Sequence, residues 1–107
     1  MPLLGFGRFS EPALYVLLSL LQGPKHGYAI SDDVEQLTGR RPGPGTLYGA
    51  ISRLDERGLI EAAPTDGRRQ PYRLTKEGLA EVRREVAELA SVTAEAQRRL
   101  RLKASRA

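Results

Sequence analysis

Two short segments hold the side chains whose types and spacing suggest chemistry: GPGTLYGAISRL at residues 43–54 and GRRQPYRLT at residues 67–75. An arginine can form two hydrogen bonds with a phosphate or a guanine edge, and hydroxyl groups can donate to phosphate oxygens. Small residues between such groups let a backbone come close to a partner. The residues that fit this chemistry are Thr46, Tyr48, Gly49, Ala50, Ser52 and Arg53 in the first segment, and Arg68 and Arg69 in the second.

Other kinds of chemistry have little support. The chain has no cysteine and His26 is its single histidine, so neither a disulfide nor a usual transition-metal site is expected. GPGTLYG lacks the Gly-Lys-Ser/Thr ending of a phosphate-binding loop and follows a predicted helix, not a strand. No base and acid that could form a catalytic site are expected near the serines Ser10, Ser19, Ser31 and Ser52. The carboxylates are expected on solvated faces: Asp32, Asp33, Asp55 and Glu56. The sequence therefore predicts no enzyme, no metal and no cofactor.

A first helix is predicted between Ser10, which can cap it, and Gly23-Pro24, which ends it. Its apolar run is too short to span a membrane and lacks the basic region and cleavage site of a signal peptide. A buried helix is therefore expected, and the cytoplasm is the default location. The inward-facing residues of this helix are predicted to be Leu14, Leu17, Leu18 and Leu21.

The second and third helices carry the first chemical segment. The second is predicted at residues 28–38, and Lys25, His26 and Tyr28 at its start are expected to support contacts with phosphates. The third is predicted from Pro44 to about Arg57, with Thr46 at the end where free N–H groups attract a phosphate. The apolar stripes of the two helices are Ala29, Ile30, Val34 and Leu37, and then Leu47, Ile51 and Leu54.

Residues 59–75 predict a two-stranded hairpin that turns at Asp66-Gly67 and has free edges at Pro64 and Pro71. Three helices followed by a hairpin is the order of a winged helix-turn-helix, whose third helix enters the DNA major groove. Arg68 and Arg69 would then lie in the wing, against the DNA backbone or in a minor groove. The alternative is that a basic hairpin tip simply discourages aggregation at the strand edges.

A long helix is predicted from Thr75, a capping candidate, although Gly78 weakens its first turn. Its apolar seam continues beyond the expected end of the domain, which favours pairing with a second copy. The alternative is a long helix that packs across its own domain. The seam consists of Leu79, Val82, Val86, Leu89, Thr93, Ala96 and Leu100, and the following basic segment RRLRLKASRA is expected to fray.

The overall charge agrees with an anionic partner. The 107 residues include 17 basic and 13 acidic side chains, a formal net charge of +4. Such an excess favours nucleic acid, although a protein that is merely basic has the same composition.

Three motifs together resemble the PadR family of transcriptional regulators: HGYAI at residues 26–30, GTLYGAISRLDERGLIE at residues 45–61 and GRRQPYRLTKEG at residues 67–78. The resemblance covers residues 10 to about 90. It implies a winged-helix DNA-binding domain, a C-terminal helix that dimerises, and repression of a nearby gene. It also implies that Tyr48 contacts the DNA backbone, and that a small aromatic or multidrug-like effector relieves repression at the dimer interface.

The sequence departs from the family pattern at two positions. Gly43 stands where the family often has a serine, which removes a helix cap, and Gly49 stands where it often has a proline. The chain resembles the short subgroup, in which a ligand pocket lies between subunits. It offers no tryptophan and two phenylalanines, Phe6 and Phe9, for stacking on such a ligand.

The resulting hypothesis is a homodimeric winged-helix repressor on a pseudo-palindromic operator. Residues 1–9 would form an arm, residues 10–75 the DNA-binding domain, and residues 76–107 the dimerisation helix with its basic tail. Two alternatives remain: a winged-helix module that binds proteins, and a ligand sensor with vestigial DNA binding. A steep salt dependence of DNA affinity would favour the first hypothesis over both alternatives.

Overall fold

The computed structural model describes residues 11–65 and 67–106. It confirms a mainly helical fold with a small sheet and a long C-terminal helix, and the helices keep the predicted order. The predicted arm, the cap at Ser10 and the turn residue Asp66 lie outside the described residues. The elements are α1 (Glu11–Leu20), β1 (Lys25–His26), α2 (Gly27–Thr38), α3 (Pro44–Glu56), β2 (Ile60–Ala62), β3 (Pro71–Leu74) and α4 (Lys76–Arg106).

The core lies where α1, α2 and α3 pack together, and most of the predicted apolar residues line it. Three predictions about it are wrong. Leu21 follows the last turn of α1 and is 47% exposed, and Leu37 in the last turn of α2 is 55% exposed. Ala50, expected on the DNA side of α3, is fully buried because it lies three residues after Leu47 and four before Leu54. The buried residues of the three helices include Leu14, Leu17, Leu20, Ile30, Val34, Leu47, Ile51 and Leu54.

The sheet has three strands in the order β1-β3-β2, so the two-residue strand β1 is an addition to the predicted hairpin. Pro71 is the first residue of the central strand β3 and lies opposite His26. The expected free edge at Pro71 is therefore wrong. A proline is tolerated here because the strand begins with it and its carbonyl still accepts a hydrogen bond from the N–H of Ala63, at 2.9 Å.

The start of α4 is locked onto the end of α3 and the start of β2. The Thr75 hydroxyl accepts a hydrogen bond from the N–H of Gly78 at 3.0 Å and donates to the carbonyl of Gly58 at 2.7 Å. The N–H of Thr75 donates to the carbonyl of Leu59 at 3.1 Å. A Cβ atom on Gly78 would collide with that same carbonyl oxygen. Gly78 therefore weakens the helix locally but permits this close contact.

Part of the apolar seam of α4 packs against the core of the domain, and part is exposed to solvent. Val82 is 2% exposed and belongs to the core, so the prediction that it faces a second copy is wrong. Leu89 packs partly against the same core, and Glu85, which the sequence analysis did not single out, is fully buried on this side of α4. In contrast, Val86 is 41% exposed and Leu100 is 66% exposed. The first turns of α4 thus complete the domain, and much of the remaining seam is uncovered.

Two further features of α4 differ from or add to expectation. The helix continues to Arg106, so the predicted fraying of the basic segment is wrong over the described residues. Ion pairs from Glu95 to Arg98 and Arg99 support this part of the helix. No helix in the described part of the chain is both long and apolar enough to cross a membrane.

Candidate nucleic-acid interface

Helix α3 presents a polar face to solvent because its apolar stripe is fully occupied by the core. Its first turn begins at Pro44, and Gly43 precedes it without any side-chain cap. Thr46, Ser52 and Arg53 are exposed, and Tyr48 is 51% exposed. The uncapped N–H groups of this first turn remain available to an anion such as a phosphate.

Gly49 makes room for an arginine. A Cβ atom placed on Gly49 would lie 3.4 Å from Nη1 of Arg53, one turn further along α3. The Arg53 guanidinium therefore lies over the bare backbone of Gly49, on the exposed face of the helix. This contact gives the glycine a local role, since glycine inside a helix costs about 1 kcal/mol relative to alanine.

Two sequence motifs meet where α3 contacts the start of α2. The ring of Tyr48 covers Gly27: a Cβ atom on Gly27 would lie 2.8 Å from Cζ and 2.9 Å from Cε1 of the tyrosine. Gly27 is buried, whereas the other side of the Tyr48 ring is open to solvent. The glycine of HGYAI thus sets the position of the GTLY tyrosine on the surface.

Tyr28 links the wing to the loop before α3. The residue is 60% exposed, and two guanidinium groups lie near its ring, with Cζ of Arg41 at 4.8 Å and Cζ of Arg69 at 5.8 Å from the ring centre. Arg41 is also held by Asp32 at 2.6 Å and Glu35 at 3.2 Å. The hydrogen bonds to these two carboxylates raise the pKa of Arg41.

Arg41 is a candidate site residue that the sequence analysis missed. The pair Arg40-Arg41 directly before the Pro and Gly residues of the α2–α3 turn was the available signal. Its proximity to Tyr28 depends on how α2 and α3 pack, which the sequence pattern does not specify. A shallow groove of about 410 Å³ runs here and is lined by Tyr28, Ser31, Arg41, Pro42, Pro44, Leu47 and Tyr48.

His26 caps α2 and faces the wing. Its Nδ1 accepts a hydrogen bond from the N–H of Ala29 at 3.4 Å, and its Nε2 lies 3.3 Å from Nη1 of Arg69. A neutral imidazole has one N–H, so with Nδ1 accepting, that hydrogen is on Nε2. Two donors then point towards each other, because a guanidinium cannot accept. An anion placed between His26 and Arg69 would receive hydrogen bonds from both.

Lys25, which was expected to support contacts with phosphates, is held within the fold by several acceptors. Its side chain is 18% exposed, and its ammonium lies 2.7 Å from the carbonyl of Ser19, 2.6 Å from Oε1 of Gln22 and 3.2 Å from Oδ2 of Asp33. Asp33 is accordingly not on a solvated face. Hydrogen bonds from the Ser19 hydroxyl, then from Lys25, hold the pKa of Asp33 below its ordinary value, against the opposing effect of burial.

The tip of the wing is closed by its own hydrogen bonds. The Thr65 hydroxyl lies 2.7 Å from the carbonyl of Arg69, to which it donates, and accepts from the N–H of Gly67 at 3.2 Å. Nε2 of Gln70 donates to the carbonyls of Ala63 at 2.9 Å and Pro71 at 2.7 Å. These contacts leave the side chains of Arg68 and Arg69 exposed.

The structure therefore brings most of the predicted DNA-contacting residues onto neighbouring parts of the surface. His26, Tyr28, Tyr48 and Arg69 line one groove of about 330 Å³, together with Gly27, Gln70 and Tyr72. Nothing among residues 11–65 and 67–106 groups three side chains in a way that suits a metal ion. A helix with an exposed polar face, a hairpin with a basic tip, and polar and basic side chains between them form the arrangement of a winged helix-turn-helix transcriptional regulator.

The comparison with known families agrees with this class. Residues 5–84 match the transcriptional regulator PadR-like family, and the chain belongs to that family. Its members are transcriptional regulators and not enzymes.

Individual relatives are similar over different lengths. The chain is 40% identical over 86 residues to an uncharacterized 37.1 kDa protein in transposon TN4556 of Streptomyces fradiae. The aligned region is 80% of this chain and 25% of that relative. It thus spans about a quarter of the length of this curated relative. RosR of H. salinarum has a TM-score of 0.72 at 29% identity, covering 90% of this chain and 88% of that one. A PadR family transcription regulator from Clostridium difficile has the same fold, with a TM-score of 0.76 at 23% identity, covering 85% and 99%.

Proposed function

We propose that this chain is a sequence-specific DNA-binding regulator that acts as a homodimeric repressor in the cytoplasm. The observation that carries the proposal is the convergence of three elements around Tyr28. Arg69 from the wing, Arg41 from the turn before α3 and Tyr48 from α3 all lie beside Tyr28 or its neighbour Gly27. Such a continuous polar and basic surface around a recognition helix fits the backbone and one groove of duplex DNA.

The residues divide into two kinds of proposed contact. Arg53 and Ser52 lie on the exposed face of α3 and would reach base edges in the major groove. Phosphates on either side would be bound by the N-terminal turn of α3 with Thr46, by the Tyr48 hydroxyl, and by His26 together with Arg69. Arg68 at the tip of the wing would contact the backbone or an adjacent minor groove.

The dimer would use the part of α4 that its own domain does not cover. Val86, Thr93, Ala96 and Leu100 are exposed and continue the apolar spacing beyond the core, while Leu79 and Leu89 lie at the border of the domain. Two subunits related by a twofold axis would place their α3 helices in successive major grooves, about 34 Å apart, on a pseudo-palindromic operator. A small hydrophobic effector that binds between the subunits would relieve this binding.

The test is a fluorescence-anisotropy titration against the DNA upstream of the chain's own gene, at several salt concentrations, with unrelated DNA as the competitor. Specific binding of one dimer per site with a steep salt slope is expected. The matched variants are Arg53→Ala on the exposed face and Arg57→Ala just after the helix. Loss of about 1–3 kcal/mol and relaxed specificity with Arg53→Ala alone would support base contact.

Two outcomes would contradict the proposal. Absence of DNA binding even at low salt would favour a winged-helix module that binds proteins. Equal affinity for unrelated DNA and for every tested upstream region would show that the binding is not sequence-specific.

A further inference from the structure

The positive charge of this protein is concentrated at one end of α4. Residues 1–94 contain twelve basic and twelve acidic side chains, whereas residues 95–107 contain five basic and one acidic. The whole net charge of +4 therefore belongs to the last segment. The winged-helix part, which holds the proposed DNA site, has no net charge of its own.

This segment projects away from the domain as an ordered helix. Leu89 is the last residue of α4 that packs against the core, and α4 continues to Arg106. The intervening 17 residues correspond to about 25 Å of helix, at 1.5 Å per residue. Principal dimensions of 60 × 27 × 23 Å show how elongated the molecule is as a result.

Three of the five charges have no neutralising partner in the described structure. Glu95 pairs with Arg98 and Arg99, while Arg101, Lys103 and Arg106 form no ion pair within residues 11–65 and 67–106. The spacing of Arg99, Lys103 and Arg106 puts them on one side of the helix, where they line a shallow groove of about 450 Å³ with Leu102. Like charges one turn apart repel each other, so a bound polyanion would stabilise this face.

We propose that residues 98–106 bind the backbone phosphates of duplex DNA without regard to sequence, outside the stretch contacted by α3 and the wing. The proposal rests on the proposed DNA-binding function, because DNA is the polyanion that this function brings close. Each phosphate contact releases condensed counterions and contributes about 0.9 to the slope of log affinity against log salt. An exposed, uncompensated basic helix end supplies such contacts independently of the neutral domain.

The experiment compares two variants with the same loss of charge from the same helix. One carries Arg99→Gln, Lys103→Gln and Arg106→Gln; the control carries Lys76→Gln, Arg83→Gln and Arg84→Gln in the first half of α4, where the three side chains are also exposed. Glutamine keeps a high helix propensity. Each protein is titrated with a duplex as long as its footprint and with one that has about 20 bp of flanking DNA on both sides, roughly two helical turns.

The expected result is a salt slope reduced by about 2.5 for each subunit, or about 5 for the dimer, for the first variant on the long duplex only. For the control variant, the difference in salt slope between the long and the short duplex should be the same as for wild type. An equal reduction in both variants would overturn the proposal, since net charge alone would then explain it. Weaker dimerisation of the first variant in sedimentation, with an unchanged slope, would also overturn it and assign the segment to the contact between subunits.

Failure of the proposed function is distinguishable from failure of this inference. If the wild-type protein shows no specific DNA site, wild type and the first variant are both titrated with random duplexes of the same two lengths. The first variant must still lose slope on the longer one if its basic segment binds phosphates. If wild type and variant bind this random DNA identically, the inference is wrong whatever the fate of the specific site.

Discussion

The ring of Tyr48 lies where a side chain on Gly27 would be, with Cζ only 2.8 Å from the position of a Cβ atom there. Gly27 begins α2 and Tyr48 lies in the second turn of α3, so this contact fixes how the two helices of the helix-turn-helix present the tyrosine. The absence of a methyl group at residue 27 thus determines the position of Tyr48, whose hydroxyl is proposed to bind a phosphate.

Gly27→Ala should separate binding from stability. The new methyl group must displace the Tyr48 ring, and the lost hydrogen bond to a phosphate should weaken DNA binding by about 1.5 kcal/mol, roughly tenfold in Kd. Alanine is the better helix former, so the melting temperature should stay unchanged or rise. Anisotropy and thermal unfolding measure the two effects. In a Tyr48→Ala background the same substitution should have almost no effect on Kd, and a full tenfold loss there would contradict the mechanism.

Asp32 and Glu35 should restrain Arg41. They hold its guanidinium over Tyr28, at 2.6 and 3.2 Å. Arg41→Ala should weaken binding to all DNA sequences and reduce the salt slope by about 1 for each subunit. Asp32→Asn combined with Glu35→Gln should instead raise affinity for unrelated DNA about threefold at low salt, because two negative charges leave the surface that faces phosphates. A decrease in that affinity would show that the carboxylates position Arg41 and do not restrain it.

Gly78→Ala should destabilise the fold. Its Cβ atom would collide with the Leu59 carbonyl, which is backbone and already accepts from Thr75. We expect a loss of roughly 2 kcal/mol in the free energy of unfolding. Gly49→Ala is the matched control, since its Cβ atom would meet only a flexible arginine at 3.4 Å. That control should gain up to about 1 kcal/mol from helix propensity. Equal effects in urea unfolding would show that Gly78 is not needed for the contact.

The pair of Asp33 and Lys25 should contribute to stability in a pH-dependent way. Because folding lowers the pKa of Asp33, its contribution is complete above the ordinary carboxyl pKa of about 4 and is lost as the pH falls through the lower, folded value. Asp33→Asn should therefore be less stable than wild type at pH 7, with the difference shrinking below about pH 4. Asp55→Asn, on an exposed part of α3, is the control. A difference that persists at low pH would indicate a packing effect.

Val82 and Val86 should behave differently although they lie one turn apart. Val82→Ala removes buried methyl groups and should destabilise the fold by roughly 2 kcal/mol. Val86→Lys places a charge on an exposed position and should leave the unfolding of the monomer unchanged. If α4 dimerises as proposed, sedimentation equilibrium should show a monomer for Val86→Lys and a dimer for wild type. A dimer in both proteins would place the interface elsewhere.

The amino-acid sequence by itself determined the features that depend on local periodicity and turn chemistry. The apolar spacing within α1, α2 and α3, the glycines that end them and the cap at Thr75 predicted the helices within a residue or two. Arg68 and Arg69 followed from the turn signal, and the family followed from three motifs. These are properties of neighbouring residues, which the chain specifies before any long-range contact forms.

Only the tertiary structure decided which partner each side chain has. Strand β1 exists because Lys25 and His26 lie beside β3, nearly fifty residues further on, and two residues carry no periodic signal. Lys25 and Arg41 look alike in sequence, yet one is held in the fold by Ser19, Gln22 and Asp33 and the other lies over an exposed tyrosine. Val82 and Val86 share one heptad pattern, but the core covers only the first. Burial depends on what packs against a residue, and that is set by the arrangement of distant elements.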